Sequence, residues 1–128
     1  MIKLLYILIG GAIGTYLRYA VSGYSYKLFD WLFPIGTLVV NLIGSFIIGL
    51  IWGLFESSSL SPNIRVFLFI GILGGFTTFS SYMLETLNLY RDGEVKMAIF
   101  NLLANNIFGL IMVILGFFLS KLLIGQLK

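Results

Sequence analysis

Residues 31–55 read WLFPIGTLVVNLIGSFIIGLIWGLF, 25 uncharged residues between Asp30 and Glu56. A bilayer core is about 30 Å thick and a helix rises about 1.5 Å per residue, so about 20 predominantly apolar residues span it. Two further stretches meet that length: 24 uncharged residues, Met97 to Ser120, and 19, Val66 to Leu84. The first candidate span is less clean. Lys3 and Arg18 bracket only 14 uncharged residues, Leu4 to Leu17, although apolar character continues through Tyr19, Ala20 and Val21. Arg18 is therefore expected inside the last turn of the first helix, facing water or protein. A signal peptide is disfavoured, because no small-residue cleavage site closes the segment and further spans follow.

Composition agrees. The chain is 59% hydrophobic and 10% charged, with a mean hydropathy of +1.05, whereas soluble domains carry about a quarter charged residues. It has no Cys and no His, which removes thiolate chemistry, disulfides and the commonest general base and metal ligand. Ser80, Ser81 and Thr78 therefore lack the partners of a nucleophilic enzyme, and Lys27 and Lys96 lie far from the middle of any span. The net charge of +3 is scattered, so no basic face for nucleic acid is expected.

The resulting map is one all-α membrane domain, 1–128, with four transmembrane helices. Helix one runs from Ile2 to about Val21, and a loop follows over Ser22 to Phe33. Helix two runs from Pro34 to about Phe55, helix three from Ile64 to about Tyr90, and helix four ends near Ile124. Lys3, Arg65, Lys121 and Lys128 then fall on one side of the membrane; Arg18, Lys27, Arg91 and Lys96 fall on the other. Orientation follows an excess of Lys and Arg in cytoplasmic loops. An equal split gives that rule nothing to act on, unless one helix end is misplaced or one charge dominates. Dual insertion is expected, and with it an antiparallel two-fold dimer.

Polar groups mark where such a bundle does something other than span. Thr37, Asn41 and Ser45 recur every four residues along helix two, and Asn101 and Asn105 along helix four with Asn106 beside them. Such stripes serve interhelical hydrogen bonding or line a path for water or ions. Helix three carries Gly71-Ile72-Leu73-Gly74-Gly75-Phe76-Thr77-Thr78-Phe79-Ser80-Ser81-Tyr82, poor helix sequence. A break near the midplane would free backbone groups that lipid cannot satisfy; the alternative is a GxxxG contact between Gly71 and Gly75 with hydroxyls bonded back to the helix. Gly10/Gly14 and Gly49/Gly53 share that spacing and are expected to pack helices. Phe79 and Tyr82 lie three apart on one face, and their electropositive ring edges suit a small anion as well as another ring.

These residues resemble a known family. Gly10-Gly11-Ala12-Ile13-Gly14 with Arg18-Tyr19, then Pro34-Ile35-Gly36-Thr37-Leu38-Val39-Val40-Asn41 with Gly44 and Gly49, then Gly74-Gly75-Phe76-Thr77-Thr78-Phe79-Ser80 with Glu85, are similar to the Fluc fluoride channels, also called the CrcB family, over essentially the whole chain. The resemblance implies a passive fluoride channel of the bacterial inner membrane: an antiparallel dimer in lipid, with two fluoride pathways. It also implies a structural sodium ion on backbone carbonyls matching Gly74 and Thr77. Asn41 matches the pore asparagine, Phe79 the first of two ring-edge phenylalanines, and Arg18 an arginine near the vestibule. Asn41, Thr37 and Ser80 could supply hydrogen bonds to fluoride, a strongly hydrated ion that needs donors when it leaves water.

Two departures stand out. Tyr82 occupies the second phenylalanine position. On helix four Asn105 fits the family's polar track, but the next positions at a spacing of four are Gly109 and Val113. A pore-impaired partner in a heterodimer with a paralogue is therefore a rival to the homodimer. A small multidrug-type exporter is another rival, but it needs an embedded carboxylate, and the nearest candidate, Glu85, lies towards the end of helix three. The third is a non-transporting assembly subunit held by the glycine pairs.

Overall fold

A computed structural model describes residues 1–28, 32–56 and 60–126. Among these, every regular element is helical, and four helical stretches are long and apolar enough to cross a membrane: Ile2–Leu28, Ile35–Phe55, Pro62–Arg91 and Val95–Gly125. In chain order the elements are α1 (Ile2–Leu28), α2 (Ile35–Phe55) and α3 (Pro62–Arg65), a π-helical segment Val66–Leu73, α4 (Gly74–Phe76), α5 (Phe79–Arg91) and α6 (Val95–Leu103), a second π-helical segment Ala104–Phe108, and α7 (Gly109–Gln126). Asp30, Lys128 and Ser57 to Ser59 of the Ser-rich turn lie outside the described residues.

The first helix corrects the expectation. It does not stop near Val21 but continues for 27 residues to Leu28, so Arg18 lies well inside it rather than in its last turn. Much of the expected Ser22–Phe33 loop is helix. The extension is held locally, since the Ser25 hydroxyl donates to the Val21 carbonyl at 2.8 Å, and Gly36 of α2 approaches so closely that a Cβ there would lie 2.6 Å from the Tyr26 ring. Helix two begins at Ile35 with Pro34 just outside it. Ser61 caps α3, its hydroxyl accepting from the Ile64 amide at 3.4 Å, with Pro62 behind it in the first turn, where proline loses nothing by lacking an N–H.

Glycine decides how the helices meet. Helices in lipid have no hydrophobic drive to associate, so small residues that allow backbone contact carry the packing. α1 lies against the third span through Gly10, Gly14, Gly71 and Gly75: a Cβ on Gly10 would sit 2.9 Å from the Gly71 Cα, and one on Gly75 would sit 2.8 Å from the Gly11 carbonyl oxygen. α2 lies against α7 through Gly49, Gly53 and Gly116. The GxxxG reading of Gly71/Gly75 therefore holds, and the chain nonetheless leaves the helix at Thr77 (φ −80°, ψ 158°) and Thr78 (φ −148°, ψ 119°), both extended.

The lipid-facing sides are apolar, with Leu110, Phe118 and Leu122 among the most exposed side chains of the fourth span. One end of the bundle carries an interfacial cluster: Arg65 lies 5.9 Å from the centre of the Trp52 ring, Lys121 lies 5.0 Å from the Phe117 ring, and Lys121 is ion-paired with Glu56. Aromatic and basic residues in such a belt anchor a span at the membrane surface.

Candidate functional site: a clamped helix interruption between two cavities

The interruption at Thr77–Thr78 is held by one side chain. Asn41, from the middle of α2, accepts from the Thr78 amide through Oδ1 at 2.9 Å and donates through Nδ2 to the Thr78 carbonyl at 3.0 Å. A continuous helix would give the Thr78 amide to the Gly74 carbonyl; here Asn41 takes it. The side chain satisfies both backbone groups of one extended residue, as a neighbouring strand would. Thr78 then caps α5, its hydroxyl accepting from the Ser81 amide at 3.3 Å and donating to the Ser81 hydroxyl at 2.9 Å.

From Asn41 a directional chain of hydrogen bonds crosses the bundle. Asn41 Nδ2 also donates to Asn105 Oδ1 at 2.9 Å. Asn105 donates to the Asn101 carbonyl at 3.0 Å and to Asn101 Oδ1 at 2.9 Å. Asn101, fully buried, donates to the Thr86 hydroxyl at 2.8 Å and to the Tyr82 carbonyl at 3.3 Å, and Thr86 donates to that same carbonyl at 2.7 Å. The two polar stripes thus meet, and much of their capacity is spent between helices. Both amide hydrogens of Asn41 are committed, so Asn41 borders the site without offering the anion donor expected of it.

Two cavities flank Thr78, which lines both, each carrying polar side chains on a largely apolar wall. The first is a groove of about 330 Å³ bordered by Asn41, Ser45, Gly74, Phe79, Tyr82 and Asn105. The second, about 480 Å³, is bordered by Arg18, Ser22, Tyr26, Thr37, Ser81 and Glu85. Phe79 opens α5 and is 68% exposed, whereas Tyr82 is 3% exposed; their rings pack edge to face, centroids 5.1 Å apart at 89°. Arg18 reaches from α1 to the Thr77 carbonyl at 3.3 Å, placing a fixed cation beside the interruption. Ser80 lines neither cavity and points to the surface; Ser81, one residue on, borders the second.

The second cavity holds a group to which sequence reasoning gave a place in the third-helix motif but no role except as a proton site for a rival function. Glu85 Oε1 accepts from Thr37 at 2.6 Å and from the Tyr26 hydroxyl at 3.4 Å, while Oε2 is buried without a partner among the described residues. Thr37 therefore spends its proton on a carboxylate. A carboxylate inside an apolar span needs such donors, and that requirement was the signal available in the sequence.

The interruption also leaves backbone carbonyls with few hydrogen bonds. With its helical donor diverted to Asn41, the Gly74 carbonyl receives no hydrogen bond among the described residues, and the Thr77 carbonyl receives only the long one from Arg18. Carbonyl oxygens released from a helix are the hard ligands a small monovalent cation takes, so the donor set fits.

A sequence family described as CrcB-like protein, camphor resistance (CrcB), matches residues 5–117. The chain belongs to the CrcB family. Over all 128 residues of both chains it is 52% identical to a protein of Parabacteroides distasonis named fluoride-specific ion channel FluC. A protein of the same name from Maridesulfovibrio salexigens is 42% identical over 126 residues, covering 98% of this chain and all of the relative. Another, from Methylobacillus flagellatus, is 43% identical over 125 residues, covering 95% and 97%. Family membership and four apolar spans make this CrcB chain a multi-pass membrane protein.

Proposed function

We propose that this protein is a passive, fluoride-selective channel of the bacterial inner membrane that lets cytoplasmic fluoride out. The observation that carries the reading is the interruption at Thr77–Thr78, clamped by Asn41 and flanked by two cavities that carry polar side chains, in a chain 52% identical along its whole length to a protein named fluoride-specific ion channel FluC. Arg18 at the second cavity attracts an anion. The Phe79 and Tyr82 rings at the groove offer weak, adjustable contacts, which let an ion bind and leave again.

The finer assembly belongs to the same proposal. The interruption sits near the membrane midplane, and two copies associate antiparallel, giving two pathways. The even division of basic residues supports dual insertion. Gly74 and Phe79, exposed on the single chain, supply a face for the second copy. The Gly74 and Thr77 carbonyls would hold a sodium ion at the dimer centre, and a bound ion supplies fixed positive potential near the path.

The Gly109 departure is explained by the opposite helix. A Cβ on Gly109 would lie 3.6 Å from the Ser45 hydroxyl, so α2 supplies the polar group that α7 omits. That distance is ordinary contact. Gly109→Ala is expected to fold normally and conduct within about twofold of the parent, small-residue changes without overlap being mild. A loss above tenfold in vesicle efflux would show that the open space itself is required.

The central test is efflux from liposomes containing only this chain, loaded with equal fluoride and chloride, with valinomycin to release potassium. Fluoride is expected to leave while chloride stays. Phe79→Ile, which removes the ring and keeps an apolar side chain, is expected to slow fluoride loss at least tenfold. Parent-like efflux from that variant would remove Phe79 from the pathway, and equal loss of both anions would end the selectivity claim. A heterodimeric partner subunit is the second reading, favoured by Tyr82: silence of the pure chain, with recovery on adding a paralogue, would establish it.

A further inference from the structure

The structure assigns a role to the hydroxyl that makes Tyr82 differ from phenylalanine: we propose that it is an anion donor of the groove, and that Asn106 is the residue that positions it. The proposal rests on the channel reading above. Tyr82 and Asn106 both border the groove. Asn106 Nδ2 lies 3.2 Å from the Tyr82 hydroxyl oxygen and 2.8 Å from the Leu102 carbonyl oxygen. A carbonyl only accepts, so the contact with Leu102 identifies the nitrogen and fixes the amide orientation. Its two hydrogens then have two acceptors, and the Tyr82 oxygen is one of them. The phenolic oxygen is an acceptor here, and its own proton has no acceptor among the described residues.

Few protons around this groove are uncommitted, and besides that of Tyr82 they include the Ser45 hydroxyl, which has no hydrogen bond among the described residues. Asn41 spends both amide hydrogens on Thr78 and Asn105. The Thr77 hydroxyl donates to the Leu73 carbonyl at 3.0 Å, and the Thr78 hydroxyl donates to Ser81. Asn105 donates to Asn101. A buried hydroxyl proton without a partner is unfavourable, and at the wall of an open groove its acceptor is whatever fills the groove, water or an anion that displaces it. A small anion fits that place because it accepts and cannot donate. A phenylalanine would offer a ring edge only; this tyrosine offers a directed O–H, and Asn106 keeps its oxygen turned to the amide and its proton turned away.

The position of Asn106 supports this. Its side chain is exposed on the single chain, within an apolar span, where a polar amide faces protein or water rather than lipid. Asn106 therefore belongs to a protein- or water-facing side of the fourth span, the side that borders the groove.

The test measures fluoride efflux against fluoride concentration in proteoliposomes of the full chain. Tyr82→Phe is expected to raise the half-saturating concentration about ten- to hundredfold, the range for one hydrogen bond to a charged group. Asn106→Leu is expected to raise it in the parent and to add nothing in the Tyr82→Phe background; an amide that only held the helices together would cost the same in both. Replacing Tyr82 by a ring-fluorinated tyrosine, a stronger acid of nearly the same shape, is expected to lower the half-saturating concentration. An unchanged value in Tyr82→Phe, or equal Asn106→Leu losses in both backgrounds, overturns the proposal while leaving the channel reading intact. If Tyr82→Phe does not fold, the fluorinated tyrosine decides, and an unchanged value overturns it. A parent that conducts no fluoride overturns both.

Discussion

Asn41→Asp is expected to cut fluoride efflux by roughly 10²–10³. The variant is nearly isosteric and keeps the acceptor for the Thr78 amide, but it replaces Nδ2 by an oxygen facing the Thr78 carbonyl and Asn105 Oδ1. Two hydrogen bonds become two oxygen–oxygen contacts. At about 1–3 kcal/mol for each group left unsatisfied, the interruption loses about 2–6 kcal/mol of local support, and every 1.36 kcal/mol corresponds to tenfold in rate. The new negative charge also borders the groove an anion must enter. The check is proteoliposome efflux alongside size-exclusion of the purified variant. Parent-like conduction would mean that Asn41 neither holds the interruption nor borders the pathway.

A still larger loss is expected from Gly49→Leu or Gly116→Leu, this time in folding. The two glycines are reciprocal across the α2–α7 contact. A Cβ on Gly49 would meet the Val113 backbone, 2.9 Å from its carbonyl carbon, and one on Gly116 would lie 2.8 Å from the Leu50 amide nitrogen. Backbone cannot swing aside as a side-chain tip can, so the helices must separate. Overpacking by a methylene or two already costs about 1–3 kcal/mol, and a leucine at a backbone contact exceeds that. The expected result is little or no monodisperse protein after purification. Gly125→Leu, where a Cβ meets nothing within 4 Å, is the matched control and is expected to purify like the parent. Normal yield and melting of Gly49→Leu would show that the two helices are not in backbone contact.

Three spans were legible because charge gaps measure length and lipid tolerates few alternatives, and the first because apolar character continues past Arg18. The glycine pairs were legible for a similar reason, since their spacing is the contact. Helix one's true end was not, because Ser22, Gly23, Tyr24 and Lys27 carry a mixed interfacial composition with no apolar signal, and tertiary contacts such as Gly36 on Tyr26 hold it helical. The stripe Thr37–Asn41–Ser45 could be seen, but not that Asn41 turns to the Thr78 backbone, that Thr37 turns to Glu85, or that Ser45 answers Gly109: a partner from another helix leaves no local trace. Ser80 and Ser81 differ by about 100° around a helix, so which of them meets a cavity depends on where α5 restarts, and that is set by Thr78 capping Ser81. Counting by fours from Asn105 to Gly109 and Val113 assumed an α-helix where the chain is π-helical from Ala104 to Phe108, but a count by one residue more reaches Leu110 and Ile114, so the departure stands and is not one of counting.

That π-helical turn also bears on which changes in chain length the family can accept. A π-turn holds one residue more than an α-turn, so removing a single residue between Ala104 and Phe108 would restore α geometry and yield a more regular helix. Because that turn already absorbs the extra residue, the residues beyond it would keep nearly their present direction, with Gly116 still against Phe46 and Ser120 against Gly53; a single deletion within α-helix would instead rotate them by about 100°. This turn is thus the stretch of the fourth span expected to accept the loss of one residue without parting α2 from α7, at the expense of the Asn105 and Asn106 contacts, whereas a deletion between Gly109 and Ser120 is expected to part the two helices.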